Sequence, residues 1–398
     1  MSETTSPHLV RALGPGLLML YGMGTIVGAG IWVLVGEVAA VAGLLAPLAF
    51  LVAAAVAGLT GASYATLASV LPEAGGEVVY VDRAFARRTL TAVTGWAVAF
   101  TGVVSAATIA RGFAGYLGVL VPLPELVVIA GITALLTAIA IRGILASAWF
   151  ATLLTVVSVG ALLWLVGARF EVLADWRRLP EAVNGEVGDV HVVLSAAFVA
   201  FYAFIGFEDM VNVAEEVRRP RVTIPLAIGG ALLGSAVLYA LVASVAVLAV
   251  PPAELARQPA PLAHVMGRGA DDPWIALAGL MAVTNSALAQ LVMASRILLG
   301  LARKGLAPAL FARIGARGTP AAGTAVVGAT VLALALTQEI GTLARLTSGV
   351  VLAVFATVNL ALLVLRVREP TTFRTPLLLP VLALVASGGL LLAALVAS

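Results

Sequence analysis

Eleven stretches of this chain are apolar for long enough to cross a bilayer, about 13–41, 43–70, 94–121, 124–141, 145–166, 190–216, 222–250, 273–302, 321–338, 342–365 and 376–397. About 20 apolar residues suffice for a crossing helix. Inside lipid every backbone amide and carbonyl needs a partner within the protein, which leaves helices or closed barrels. Segments of this length predict an all-α polytopic membrane protein with about eleven spans. Composition agrees, since 62% of the 398 residues are hydrophobic and 11% charged, against roughly 25% charged in a soluble domain. The first segment is too long for a cleavable signal peptide and lacks its basic start.

The remaining composition narrows the function classes. A net charge of +3 needs no nucleic-acid partner, because arginines on the loops account for it. There is no cysteine, which excludes disulfides and thiolate metal sites. His8, His191 and His264 are far apart in sequence and make no metal-ligand cluster, so no metal and no cofactor is expected. With the N-terminus inside, the inner loops carry 15 Lys and Arg and the outer loops 5, which predicts a cytoplasmic N-terminus in a multi-pass protein of the cell membrane. An odd number of spans then puts the C-terminus outside.

Glycines interrupt two of the spans. The first reads Gly22-Met23-Gly24-Thr25-Ile26-Val27-Gly28-Ala29-Gly30-Ile31-Trp32. Glycine weakens a helix by about 1 kcal/mol per residue and permits unusual backbone angles. Two readings follow: tight helix packing through small residues, or a helix unwound in mid-membrane whose freed amides and carbonyls hold a small polar solute. The sixth segment repeats the oddity in Phe201-Tyr202-Ala203-Phe204-Ile205-Gly206-Phe207-Glu208-Asp209. Segments one and six hold matching places in two five-segment halves, and each half has a roughly 20-residue polar loop two segments in, 71–90 and 251–272. Interrupted helices at matching positions point to a site between inverted repeats. The expected organisation is a cytoplasmic tail (1–12), a first repeat (13–166), an extracytoplasmic loop (167–189), a second repeat (190–365) and a peripheral eleventh span (366–398).

Half-helix ends offer two kinds of group. Amides of Gly28, Ala29 and Gly30 open the second half of segment one and suit a carboxylate. Carbonyls of Thr25 and Ile26, joined by those of Ala203, Phe204 and Ile205, suit an ammonium. An α-amino acid matches this pair. Tyr202, Phe204 and Phe207 would line its side-chain pocket, or simply pack between helices. Glu208 is expected to carry a proton or serve a gate, or else to cap amides of the broken helix; Asp209, nearer the loop, is assigned to structure. Arg111 in segment three predicts an ion pair or helix anchor. Glu215 or Glu216 facing inner-loop arginines would form a gate, or only a solvated loop.

These residues also carry a family resemblance. Gly24 to Ile31, Phe201 to Glu208, Ala214-Glu215-Glu216-Val217-Arg218-Arg219-Pro220, and Ser295-Arg296 through Pro308 resemble the amino acid–polyamine–organocation superfamily. Ala110-Arg111-Gly112-Phe113 resembles its cationic amino acid transporter branch. The resemblance implies a five-plus-five inverted-repeat fold with discontinuous helices one and six, and alternating access. It also implies substrate carboxylate on the Ala29 and Gly30 amides and ammonium on carbonyls near Ile26, Ala203 and Phe204. Two positions depart from it. Many members have Ser where Ala29 stands. Several proton-coupled members have Lys where the register puts Ser158, so that proton mechanism does not carry over. Ser158 with Ser286 would support a sodium site; uniport or exchange is the alternative. The expectation is a secondary permease, not an enzyme, taking a neutral L-amino acid, with H+ or Na+ as candidate coupling ion. Cationic amino acids or polyamines are the second substrate class. A channel or membrane enzyme, the rival classes, would need a continuous polar stripe or a clustered nucleophile set, and neither is visible.

Overall fold

A computed structural model of the chain describes residues 13–397 apart from 74, 143–147, 182–186, 268–272 and 316–317. The expected tail, 1–12, lies outside the described residues. Each apolar segment is a helix or an interrupted helix. In order these are α1 (Pro15–Ile26) and α2 (Ala29–Ala42), α3 (Ala46–Val70), the loop helix α4 (Gly76–Phe85), α5 (Arg88–Leu120), α6 (Glu125–Arg142), α7 (Ala148–Ala168), the short α8 (Arg178–Glu181), and α9 (Val187–Ala200). After α9 come two 3-10 stretches, Phe201–Phe204 and Phe207–Glu216. The chain continues through α10 (Pro220–Ala249), the loop helices α11 (Pro252–Leu255) and α12 (Pro261–Val265), α13 (Trp274–Arg303), α14 (Ala321–Thr337), α15 (Ile340–Arg368) and α16 (Leu378–Ala397). Seven helical stretches meet the length and hydropathy needed to cross a membrane, and shorter apolar helices include α1, α14 and parts of α7 and α16.

The long polar loops carry structure of their own. α4 exposes Asp82 and buries Tyr80, Val81 and Ala84 together with one carboxyl side chain, Glu77. α3 packs along α10, and α5 along α13, so pairs distant in sequence form the body. Segment eleven is less peripheral than expected. α16 packs on α3, α9 and α15, and its buried Ser387 lies 3.2 Å from the Thr60 hydroxyl of α3, which also accepts from the Asn359 amide of α15 at 3.2 Å. Polar groups buried among apolar helices gain most when they meet one another, and this seam fixes α16 against the body.

One isolated bridge supplies the only β-type pairing among the described residues. The Leu13 amide donates to the Glu216 carbonyl at 3.0 Å and the Arg218 amide to the Leu13 carbonyl at 2.9 Å. It joins the start of α1 to the end of the 3-10 stretch 207–216.

Candidate functional site

Both glycine-rich spans are broken. α1 stops at Ile26 and α2 begins at Ala29; between them Val27 has ψ 44° and Gly28 ψ −129°, far from helical values. In the second gap Ile205 is extended, with ψ 137°, and Gly206 has φ +123°. L side chains rarely adopt that φ, so position 206 requires glycine.

The gaps touch. Thr25 Oγ1 lies 2.8 Å from the Gly206 carbonyl and 2.9 Å from that of Gly22, and its single proton serves either. A Cβ on Gly206 would come within 2.6 Å of the Thr25 carbonyl oxygen, and one on Gly30 would overlap the Ala203 backbone. Glycine at 30 is therefore a condition of the close approach. The first amides of α2 have no carbonyl one turn earlier in their own helix.

Hydroxyls from α7 and α13 bracket the first gap. Ser158 Oγ donates to the Val27 carbonyl at 3.2 Å and accepts from the Trp32 indole N–H at 3.0 Å. Ser286 Oγ, which donates to the Ala282 carbonyl at 3.1 Å, sits where a Cβ on Gly28 would stand. The two serines thus flank one break. Among the described residues no three His, Asp or Glu gather to hold a metal.

The carboxylates divide their roles. Glu208 Oε2 accepts from the Gly206 amide at 2.8 Å and caps the second gap. Asp209 instead lines a cavity of about 660 Å³. That cavity is lined by Gly24, Thr25 and Thr155 beside the first gap, by Asn212, Glu216, Asn285 and Arg296, and by the exposed Gly75 and Lys304. Beyond the first gap, described residues of α2, α5 and the 251–267 loop pack together. The Tyr116 hydroxyl donates to the Trp32 carbonyl at 2.7 Å, the two buried rings meet edge-on at 5.9 Å, and the Pro259 carbonyl abuts Gly115.

The three aromatics expected at the pocket wall are buried in packing. The Tyr202 hydroxyl donates to the Ser105 carbonyl at 3.2 Å. Phe204 meets the Tyr239 ring edge-on at 5.1 Å, and Phe207 meets Tyr64 edge-on at 5.4 Å. The cavity wall is formed by other residues.

Residues 18–398 match the amino acid permease family. The chain belongs to that family. The superfamily resemblance carried by the four motif blocks is borne out. Similar proteins include the methylthioribose transporter of Bacillus subtilis, 29% identical over 97% of this chain and 88% of that protein. Another is the vacuolar cationic amino acid transporter 4 of Arabidopsis thaliana, 30% identical over 92% of this chain and 65% of that protein, so the chain spans about two thirds of the plant protein's length. An uncharacterized transporter of Mycobacterium tuberculosis is 33% identical over 91% of this chain and 82% of its own. Among solved structures, a manganese transporter of Eremococcus coleocola superposes with a TM-score of 0.65 over all of this chain and 90% of that one; at 13% identity it shares the fold. The protein is a multi-pass membrane transporter with the superfamily's all-helical fold.

Two features of this permease test the reading of single residues. Arg111 makes the expected ion pair, 3.0 Å from Glu125, and donates to the Ala335 carbonyl at 2.9 Å, which anchors α5 to α6 and α14. Tyr239 escapes sequence reasoning. Its α10 run, Ser235-Ala236-Val237-Leu238-Tyr239-Ala240, is ordinary apolar span, yet its hydroxyl reaches the Ile26 carbonyl at 2.7 Å and the Ala203 carbonyl at 3.1 Å. The one available signal was a mid-span tyrosine, whose hydroxyl needs a partner when buried.

Proposed function

We propose that this permease is a secondary transporter that moves a neutral L-amino acid across the cytoplasmic membrane by alternating access. The observation that carries the reading is the contact between two backbone gaps, with a cavity that reaches Gly24 and Thr25 beside the first. Amides of Gly28, Ala29 and Gly30 at the N-terminal end of α2 suit the substrate carboxylate. Carbonyls of Thr25, Ile26, Ala203, Phe204 and Ile205 suit the ammonium. Residues 13–166 and 190–365 act as the two repeats, and the arginine bias makes the open face cytoplasmic. In that orientation the molecule stands open to the inside, with Trp32 and Tyr116 shutting the outer path. Ser158, Ser286 and the Val27 carbonyl offer oxygens to a sodium ion at the first gap. The cap that Glu208 makes on Gly206 favours a structural role for it over proton carriage. A cationic substrate is the second reading, supported by Asp209 and Glu216 in the cavity wall, although Arg296 and Lys304 share that wall.

Uptake into proteoliposomes tests this directly. The panel holds labelled neutral and cationic amino acids, putrescine and methylthioribose, under imposed sodium or pH gradients. Accumulation of neutral L-amino acids is expected. Uptake of methylthioribose with no amino acid taken up overturns the reading.

A further inference from the structure

Tyr239 belongs to neither interrupted helix, yet it holds both. Its hydroxyl donates to the Ile26 carbonyl at 2.7 Å, and the Ala203 carbonyl, at 3.1 Å, is a second acceptor for the same proton. Ile26 ends α1 and Ala203 precedes the second gap, so both carbonyls sit where the helical hydrogen-bond ladder fails. The ring is fully buried, edge-on to Phe204 at 5.1 Å and to Phe50 at 5.9 Å, which fixes the direction of the hydroxyl. A neutral donor thus stands at the carbonyl pair assigned to the substrate ammonium.

We propose that the Tyr239 hydroxyl is a built-in substitute for that ammonium, closing the carbonyl pair when the site is empty and so allowing the unloaded permease to change its facing. The inference rests on the reading of the two gaps as the amino acid site. Buried carbonyls without a donor are costly. In the loaded carrier the ammonium satisfies them; in the empty carrier Tyr239 does. The residue therefore acts on one half of the transport cycle and competes mildly with substrate in the other.

Tyr239→Phe removes the hydroxyl and keeps both ring contacts, so the fold is retained. The probe is labelled L-alanine, entering either empty vesicles or vesicles preloaded with unlabelled L-alanine. Net uptake into empty vesicles needs the unloaded carrier to return; exchange with preloaded vesicles does not. The variant should lose about tenfold in net uptake, keep exchange within about twofold of wild type, and show a lower KM for exchange. Purified without substrate, it should also exchange backbone amide hydrogens faster in peptides covering 22–30 and 200–208. Net uptake and exchange falling in equal proportion would overturn the proposal, as would unchanged amide exchange at both gaps. If the wild type takes up methylthioribose but no amino acid, the proposed function fails, and the substitute role fails with it. An equal fall in a competent amino acid transporter removes the Tyr239 role alone.

Discussion

The two gaps look alike in sequence, a glycine set in an apolar span, but they are built differently. In the first, regular α-helix resumes on both sides and Gly28 keeps a negative φ of −92°. Its freed groups are met by hydroxyls from elsewhere: Ser158 on the Val27 carbonyl and Tyr239 on that of Ile26. The second shares outside support, Tyr239 on the Ala203 carbonyl and Thr25 on that of Gly206, but adds support from its own chain. Gly206 takes φ +123°, the chain goes on as 3-10 helix, and Glu208, two residues on, caps the Gly206 amide. One break is held by groups from elsewhere, and the other by such groups together with its own chain.

Substitutions can break or sharpen this contrast. The largest effect is expected at Gly206→Ala. It forces an L side chain to φ +123° and into the Thr25 carbonyl, at a cost of about 1–3 kcal/mol for the backbone alone. Uptake should vanish and the melting temperature in detergent should fall; a wild-type melting curve would mean that the second gap is not self-made. Gly30→Val should abolish uptake as well, because its side chain has no room against Ala203, with expression intact. Normal uptake by that variant would separate the gaps and discard the assigned carboxylate amides. Next, Glu208→Ala removes the cap at about 1 kcal/mol, while Glu208→Gln keeps an acceptor oxygen. Transport by the glutamine form should keep the wild-type pH profile; a profile that flattens would return Glu208 to proton carriage.

The smallest effect concerns a support of the second gap. Glu77 on α4 is buried and accepts from the Tyr64 hydroxyl at 3.1 Å, and Tyr64 packs on Phe207, the first residue past the gap. Burial raises the Glu77 carboxyl above the usual glutamate range, outweighing hydrogen bonds that lower it. A raised carboxyl favours the neutral form in the fold. Its stabilising contribution is complete at low pH and is lost as pH rises through the raised value. Melting temperatures measured from about pH 5 to pH 8 should therefore fall less steeply for Glu77→Gln than for wild type. Parallel slopes would remove Glu77 from the account.

Much of the architecture was readable because lipid allows so few backbone solutions. Each apolar segment became a helix, and mid-span glycines marked both gaps to within a residue or two. What stayed hidden was which face meets which neighbour. In a bilayer the inward and outward faces of a span are both apolar, so polarity does not distinguish them. Phe204 and Phe207 therefore read equally as pocket wall or as packing, and the structure packs them against Tyr239 and Tyr64. The partners of Ser158 and Tyr239 depend on helix rotation, which residue spacing in a uniformly apolar run does not encode. The loop helices α4, α11 and α12 were too short or too polar to stand out from the turns around them.

The pairing of Leu13 with the backbone around Val217 has a mechanical meaning. It clasps the start of α1 to the end of the 3-10 stretch 207–216, so neither can swing without dragging its counterpart. A displacement of either is carried to the other through two backbone hydrogen bonds rather than through side chains that could slip.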